Sequence, residues 1–279
     1  MSIRAGYQVF TMDQTNRMRV GLALGGGAVR GLAHVGVLSV LMGAGIPIDY
    51  VAGTSAGSII GALYCAGLGL DRLESLSSET NWWKISRLAL SPRGLLNFNK
   101  LSNWLIRQIG DLDIDELVTP YAVVTTDIVT GEEVVFRSGS LAPAVQASCS
   151  IPGLVVPLEM DDRLLVDGSL VNTVPVSVVR QMGADYVIGV DILTHKIRWR
   201  LGPLGYGIAA IEILAERAGC GMGQADCLIT PDLAGKTYIR FSKRGELFQL
   251  GAGAAMQRLE KIRSDLSMLE LHENIIPER

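Results

Sequence analysis

One serine in the sequence lies between two glycines, directly after an apolar stretch. Residues 51–60 read VAGTSAGSII, so Gly53 and Gly57 flank Ser55 in the pattern G-x-S-x-G. Between a strand and a helix this pattern predicts a sharp turn that projects the serine hydroxyl from the strand end. Glycines two residues before and after the serine relieve the crowding in such a turn. Ser55 is therefore a candidate nucleophile, and the alternative is an ordinary Gly-rich helix start.

A serine hydroxyl is a weak nucleophile until a base accepts its proton. Asp167 ends the apolar run LLVD, and a buried aspartate can have a raised pKa and act directly as a base. The Asp-Gly pair that it forms with Gly168 also favours a simple Asx turn. His195 follows the apolar run VIGVDIL, so a Ser55–Asp167–His195 triad is a further possibility. The residues alone leave dyad and triad both open.

A second candidate feature is the glycine cluster GLALGGGAVRGLAH at residues 21–34. It has no Gly-Lys pair, which excludes a Walker A phosphate loop. A dinucleotide fingerprint also fits poorly, because the second strand ends without the acidic residue that would hold a ribose. Glycines at a strand end can instead direct backbone N–H groups at an oxyanion, or they form a tight turn without a ligand. We expect His34 to pack or cap near this turn.

The elements that would position these residues alternate between strand and helix. Apolar runs and helical spacing over residues 18–67 predict a βαβα unit with a parallel sheet. We see no repeat and no linker, and so expect one domain. The later predictions, in chain order, are a more helical, polar region at 68–118, a hairpin at 121–139, a short helix at 142–153, a strand and turn at 163–176, a helix and strand at 176–193, helix at 205–228, a strand at 237–241 and a long amphipathic helix at 244–271.

Composition restricts the class of protein. The formal net charge of −3 argues against a nucleic-acid partner, which usually needs a basic patch. The four cysteines form no C-x-x-C pair, so neither a zinc ribbon nor a dithiol site is indicated, and no ligand cluster predicts a metal. The first residues lack the apolar core of a secretory signal, and no stretch approaches 18 apolar residues, so we expect a cytoplasmic protein.

Two segments raise the question of contact with a membrane surface. Trp82 and Trp83 are adjacent in the sequence. Residues 195–215 mix apolar and basic residues as interfacial segments do, and this segment begins HKIRWRLGPLGYGIAAIEIL. They could form a lid or touch a bilayer. The alternative is a core helix with a surface loop.

Four blocks in this order resemble those of the patatin-like phospholipase family, close to its bacterial members. GGGAVRGLAHVGVL resembles the first block, GTSAG the nucleophile block, ASCSIPG the middle block and DGS the aspartate block. The resemblance spans roughly residues 19–265. It implies a three-layer α/β/α fold with a mainly parallel central sheet. We expect the family's domain at residues 19–272, after residues 1–18, which read as a flexible leader.

The resemblance also implies a Ser–Asp dyad without histidine, in which Ser55 is the nucleophile and Asp167 the general base. The remaining site residues fall in the glycine block and the aspartate block. The glycine block supplies the backbone of Gly26 and Gly27 for the oxyanion hole, with Ala28 in place of the family's third glycine and Arg30 at the basic position. The aspartate block supplies Gly168 and Ser169, and Ser169 stands where the family usually has Gly or Ala.

The implied activity is hydrolysis of a phospholipid or lysophospholipid ester through an acyl-enzyme, without metal or cofactor. Two other classes remain open on the same scaffold. One is a lipid-binding or regulatory protein in which Ala28 weakens the site. The other is an acyltransferase, which passes the acyl group to an acceptor other than water.

Overall fold

A computed structural model describes residues 17–79, 81–193, 202–218, 221–233 and 244–273. Its strands are β1 (Val20–Leu24), β2 (Tyr50–Thr54), β3 (Arg87–Ser91), β4 (Gly94–Asn97), β5 (Tyr121–Asp127), β6 (Glu133–Phe136), β7 (Gly153–Val155), β8 (Leu158–Met160), β9 (Arg163–Asp167), β10 (Tyr186–Val190) and β11 (Cys227–Ile229). Its helices are α1 (Leu32–Gly43), α2 (Ala56–Cys65), α3 (Leu70–Glu79), α4 (Trp82–Ile85), α5 (Asn99–Ile109), α6 (Leu141–Ser148), α7 (Val176–Gln181), α8 (Gly202–Arg217) and α9 (Arg244–Glu273).

The central sheet has the strand order β11-β10-β1-β2-β5-β9-β8, and β6 also pairs with β5. Strands β11, β10, β1, β2 and β5 run parallel to one another. Strands β6 and β9 run antiparallel to β5, and β8 runs antiparallel to β9. The predicted βαβα start and the mainly parallel sheet are therefore confirmed.

Helices cover both faces of this sheet, which explains why β1 is buried along its whole length. Leu22 and Leu24 pack into a large core with residues of α1, α2, α5, α6 and α9. On the opposite face, Ala23 packs with residues of α7. That face carries small residues because α7 lies close to it: a Cβ on Gly21 would overlap Val179. The three-layer α/β/α architecture is thus confirmed.

Strands β2 and β9 occupy the same edge of β5, end to end. Strand β6 pairs with residues 123–126 of β5 and so fills the other edge. Strand β2 ends with Thr54 beside Val124, and β9 ends with Asp167 beside Thr125. Because β2 runs parallel to β5 and β9 antiparallel to it, their carboxyl ends meet. Residues 54 and 167 therefore become neighbours along the edge of β5.

The structure corrects two of the helical predictions. Region 68–118 contains α3, α4 and α5, but also the hairpin β3–β4, which joins β7 in a second, three-stranded sheet. The sequence signal for this hairpin is the turn SPRG between two leucine-containing runs. In region 205–228, α8 ends at Arg217, a short 3-10 helix lies at Met222–Gln224, and β11 begins at Cys227. The strand predicted at 237–241, and the leader as far as residue 16, lie outside the described residues.

Two glycines let α1 and α9 pack closely. A Cβ on Gly36 of α1 would overlap Phe248 O, and a Cβ on Gly251 of α9 would overlap Ala33 O. Both obstacles are backbone atoms, which cannot move aside as the end of a flexible side chain can. The long helix predicted at 244–271 is confirmed, and this close contact holds it against the first βα unit.

We expect Gly251→Ala to lower the free energy of unfolding by about 1–3 kcal/mol, because the added methyl group overpacks a backbone contact. The matched control is Gly253→Ala on the same helix, where nothing lies within 4 Å of the added Cβ. There the better helix propensity of alanine should raise the free energy of unfolding by about 0.5–1 kcal/mol. Urea unfolding of both variants measures the difference, and equal effects would contradict the close packing.

Candidate active site

Ser55 forms the whole turn between β2 and α2. Its backbone has φ 52° and ψ −121°, a conformation that non-glycine residues rarely adopt. The turn brings Gly53 and Gly57 together, since a Cβ on Gly53 would lie 2.6 Å from Gly57 O. A Cβ on Gly57 would overlap Leu24 O. The sequence therefore folds into the sharp strand-to-helix turn that the G-x-S-x-G pattern predicts.

The structure brings Ser55 and Asp167 into direct contact. The Ser55 hydroxyl donates a hydrogen bond of 2.6 Å to Asp167 Oδ2. The other carboxyl oxygen, Oδ1, accepts the N–H of Ser169 at 2.9 Å. Both side chains are buried, with Ser55 6% and Asp167 5% exposed. Burial raises the pKa of Asp167, and the hydrogen bonds from Ser55 and Ser169 oppose that shift.

The aspartate block turns tightly over β5. A Cβ on Gly168 would overlap Val124 O, so only glycine fits directly after Asp167. The next residue, Ser169, lies against the glycine cluster, because a Cβ on Gly26 would overlap its Oγ. Glycine at 26 and a small residue at 169 thus allow the two blocks to meet beside Ser55.

The structure changes the choice of oxyanion donors. The N–H of Gly26 donates to Thr173 O at 3.1 Å, so the prediction that this amide faces an oxyanion is wrong. In the parts of the chain that the structure describes, the N–H groups of Gly27 and Ala28 donate no hydrogen bond. The N–H of Ala56, at the first position of α2, donates none there either. These three amides are the candidate donors.

Arg30 and His34 lie behind the glycine turn. The Arg30 side chain is fully buried, and the backbone N–H of Arg30 donates to Gly27 O at 3.1 Å. His34 Nε2 donates to Gly25 O at 2.8 Å, and burial lowers the pKa of this histidine to about 4. The predicted packing role of His34 is confirmed. His195, the third member of the alternative triad, lies outside the described residues.

An apolar cavity of about 110 Å³ opens at Ser55. Ser55 is the one lining residue that carries a hydroxyl group, and no charged side chain contributes to the lining. The lining comes from the glycine turn and the start of α1, from α2, α3, α4 and α5, and from β7 and the segment before it. It consists of Ala28, Val29, Gly31, Leu32, Ser55, Ala56, Ile59, Ile60, Leu63, Leu73, Leu76, Ile85, Phe98, Leu101, Trp104, Cys149, Ile151 and Leu154. A cavity of this kind fits a hydrocarbon chain next to a hydroxyl nucleophile.

Some residues of the site carried no predicted role. Ser148 and Cys149, in the segment ASCSIPG, contact the backbone of Ser55. The block ASCSIPG marks this segment in the sequence. It does not show that Ser148 and Cys149 contact Ser55, because hydrogen bonds to a backbone N–H and a backbone carbonyl leave no local sequence pattern. Among the described residues, no group of three His, Cys, Asp or Glu side chains could hold a metal ion.

Ala28 has a φ of 50°, in the left-handed region that favours glycine. We therefore expect Ala28→Gly to leave the free energy of unfolding unchanged or to raise it by up to about 1 kcal/mol. The matched control is Ala210→Gly, at an exposed position of α8, which should lose about 1 kcal/mol of helix propensity. Thermal unfolding compares the two. An equal loss in both variants would contradict the strained conformation at Ala28.

The sequence and the fold are similar to those of known proteins. The family described as Patatin-like phospholipase matches residues 22–180. An uncharacterised NTE family protein of Mycobacterium tuberculosis is 36% identical over 177 residues, which cover 62% of this chain and 49% of that protein. Patatin-like phospholipase domain-containing protein 6 of Homo sapiens is 37% identical over 183 residues, covering 62% of this chain and 13% of that protein.

The match to the human protein thus spans about an eighth of its length, and the match to the mycobacterial protein about half. Among solved structures, VipD from Legionella pneumophila has a TM-score of 0.58 and 14% sequence identity, covering 88% of this chain and 67% of that chain. This likeness supports the fold. The family match covers more than half of the sequence and includes both Ser55 and Asp167. The chain belongs to the patatin-like phospholipase family.

Proposed function

We propose that this protein is a serine acyl hydrolase that cleaves carboxylic esters of phospholipids or lysophospholipids. The proposal rests above all on one observation, the 2.6 Å hydrogen bond from Ser55 to Asp167 next to an apolar cavity that Ser55 lines. The names of two relatives, a neuropathy target esterase of Drosophila melanogaster and the human phospholipase domain-containing protein, support a lipid ester as substrate. The domain that performs this function is residues 19–272.

In the first half of the reaction, Ser55 is acylated. Asp167 Oδ2 accepts the hydroxyl proton while Ser55 Oγ attacks the ester carbonyl carbon. The existing hydrogen bond already aligns this proton, and the raised pKa makes Asp167 a stronger base than an exposed aspartate. When the tetrahedral intermediate collapses, the leaving alcohol takes the proton from Asp167 and the acyl group stays on Ser55.

In the second half, water releases the acyl group. Asp167 accepts a proton from the water, which attacks the acyl carbonyl, and the proton then returns to Ser55 Oγ as the fatty acid leaves. In both halves, the negative oxygen of the intermediate needs hydrogen-bond donors. We assign this role to the N–H groups of Gly27, Ala28 and Ala56. The positive N-terminal end of α2 adds to their effect.

The cavity favours a fatty acyl chain in the position next to the nucleophile. Its lining has no charged group that could hold a phosphate or an amine, so the head group of the lipid lies outside it.

A binding protein on the same scaffold would have no use for a serine that is reactive toward a fluorophosphonate. Labelling of Ser55 in the folded protein therefore separates hydrolase from binding protein. Product analysis with added alcohol or lysolipid separates hydrolase from acyltransferase.

Peripheral contact with a membrane surface is part of the same proposal. Leu88 on the hairpin β3–β4 is 77% exposed, and Tyr206 on α8 is 79% exposed. Both elements adjoin the site: β4 pairs with β7, whose Leu154 lines the cavity, and the α8 carbonyl of Ala215 accepts the hydroxyl of Thr173. A phospholipid must leave a bilayer to enter the cavity, and exposed apolar side chains on elements that adjoin the site suit that transfer.

The side chains of Trp82 and Trp83 and residues 194–201 lie outside what the structure describes, so the predicted lid stays a prediction. Within the described ranges, no helix has both the length and the apolar character to span a bilayer. Co-sedimentation with phosphatidylcholine vesicles tests the surface contact. The double variant Leu88→Ser/Tyr206→Ser should bind less than the parent, and unchanged binding would end this part of the proposal.

Substitution of either member of the pair should remove activity. With a p-nitrophenyl acyl ester, we expect Ser55→Ala to fall to the background rate, because no acyl-enzyme can form. Asp167→Asn should lower kcat roughly 10²- to 10⁴-fold through loss of the general base. The control is His195→Ala, for which the dyad predicts little change and a triad predicts a collapse of the rate. Parent-level hydrolysis by folded Ser55→Ala would refute the proposal.

The pH dependence follows from the same carboxyl group. Asp167 must be ionised to accept a proton, and burial raises its pKa above the ordinary aspartate range. As the pH falls through this raised pKa, kcat/KM should decline, so the acid limb lies at higher pH than an unperturbed aspartate would give. A rate that stays constant down to the ordinary aspartate pKa would contradict Asp167 as the base.

Partial filling of the cavity should discriminate between acyl chains. Ile59 lies on α2 in the lining and is partly exposed, so a larger residue can be placed there without overpacking the deeper core. We expect Ile59→Trp to lower kcat/KM for a dodecanoyl ester at least tenfold more than for an acetyl ester, because only the long chain needs the blocked space. The acetyl ester is the internal control. Equal losses for both esters would show that the chain binds elsewhere.

A further inference from the structure

The strained backbone of Ser55 depends on contacts from outside its own turn. A residue in a sparsely populated conformation persists only where its surroundings fix it. Ser55 lies one residue beyond the end of β2 and is buried, so its N–H must find an acceptor away from the sheet ladder. The partners of this N–H and of the Ser55 carbonyl therefore decide which way the hydroxyl points.

The N–H of Ser55 donates to the hydroxyl oxygen of Ser148 at 2.8 Å. The Ser148 hydroxyl itself donates to Val124 O at 2.6 Å. Its proton therefore points at β5, and a lone pair faces Ser55. Ser148 is fully buried, so water does not compete for either bond. One hydroxyl thus ties the nucleophile's amide to the strand along which β2 and β9 meet.

The Ser55 carbonyl is fixed from two sides. The Ser58 hydroxyl donates to it at 2.6 Å, and the Cys149 thiol donates to it at 3.3 Å. The next residue, Ser150, accepts the N–H of Asp167 at 3.0 Å through its carbonyl oxygen. Residues 148–150, at and after the end of α6, therefore contact Ser55 on both of its backbone groups and Asp167 on its amide.

We propose that Ser148 is a positioning residue for the nucleophile, and that residues 148–150 set the distance between Ser55 and Asp167. The two side chains are 112 positions apart in the sequence, and this segment bonds to the backbone of both. Ser148 does not touch the cavity, so its effect passes through the orientation of Ser55. The inference rests on the proposed function, because it assigns Ser148 a role in acylation of Ser55.

Ser148→Ala tests this assignment. It leaves the Ser55 N–H without an acceptor and frees Val124 O, so Ser55 can turn away from Asp167. We expect kcat, and the rate at which a fluorophosphonate labels Ser55, to fall roughly 10- to 100-fold, while KM changes less than about threefold. The matched control is Ser39→Ala, which removes a hydroxyl that donates to a helix carbonyl, Gly36 O, at 2.7 Å away from the site. It should label at the parent rate.

A second variant covers the case in which Ser148→Ala does not fold. Ser148→Cys keeps a group of similar shape that is a weaker acceptor and donor, and it should label at a rate between parent and alanine variant. Parent-level labelling and kcat in a folded Ser148→Ala or Ser148→Cys protein would overturn the positioning role alone. A folded parent whose Ser55 resists labelling would overturn the nucleophile assignment and, with it, this inference.

Discussion

The hydrogen bond between Ser55 and Asp167 requires that two strand ends meet at one point on the edge of β5. Strand β2 reaches this point from one direction and β9 from the other. The polypeptide must therefore turn away directly after each strand, since β2 and β9 cannot both continue along the same edge of β5. The sharp turn at Ser55 and the turn at Asp167-Gly168 follow directly from this constraint, and so does the strained backbone of Ser55.

Small residues are the consequence of that convergence. Gly53, Gly57 and Gly168 lie where a Cβ would meet backbone atoms, and Gly26 lies where a Cβ would meet Ser169. The same closeness removes water from the pair. A carboxyl group in this buried position keeps a raised pKa, and it faces the hydroxyl of Ser55, which lines an apolar cavity. Tight backbone packing and the basicity of Asp167 thus have one common cause.

Much of this arrangement could be predicted from the sequence, because local patterns encode it. The G-x-S-x-G turn, the Asp-Gly pair after an apolar run and the alternation of strand and helix each depend on a few adjacent residues.

The oxyanion donors could not be assigned in this way. Whether the N–H of Gly26 is available depends on Thr173 O, which lies 147 positions away (173 − 26) and arrives only through the tertiary fold. The role of Ser148 has the same origin: its partners lie on β5 and at the end of β2. The β3–β4 hairpin was missed for a similar reason, because β7, the third strand of its sheet, comes from residues 153–155 and reaches β4 only through the tertiary fold.

The central claim is that Ser55 carries the acyl group between two half-reactions. The most direct measurement is peptide mass spectrometry after acid quenching of the protein during turnover of a slowly deacylated ester. The account predicts an increase in mass equal to one acyl group on the peptide that contains Ser55, and its decay on the time scale of product release. Turnover without an adduct, or an adduct on another residue in place of Ser55, would contradict the account.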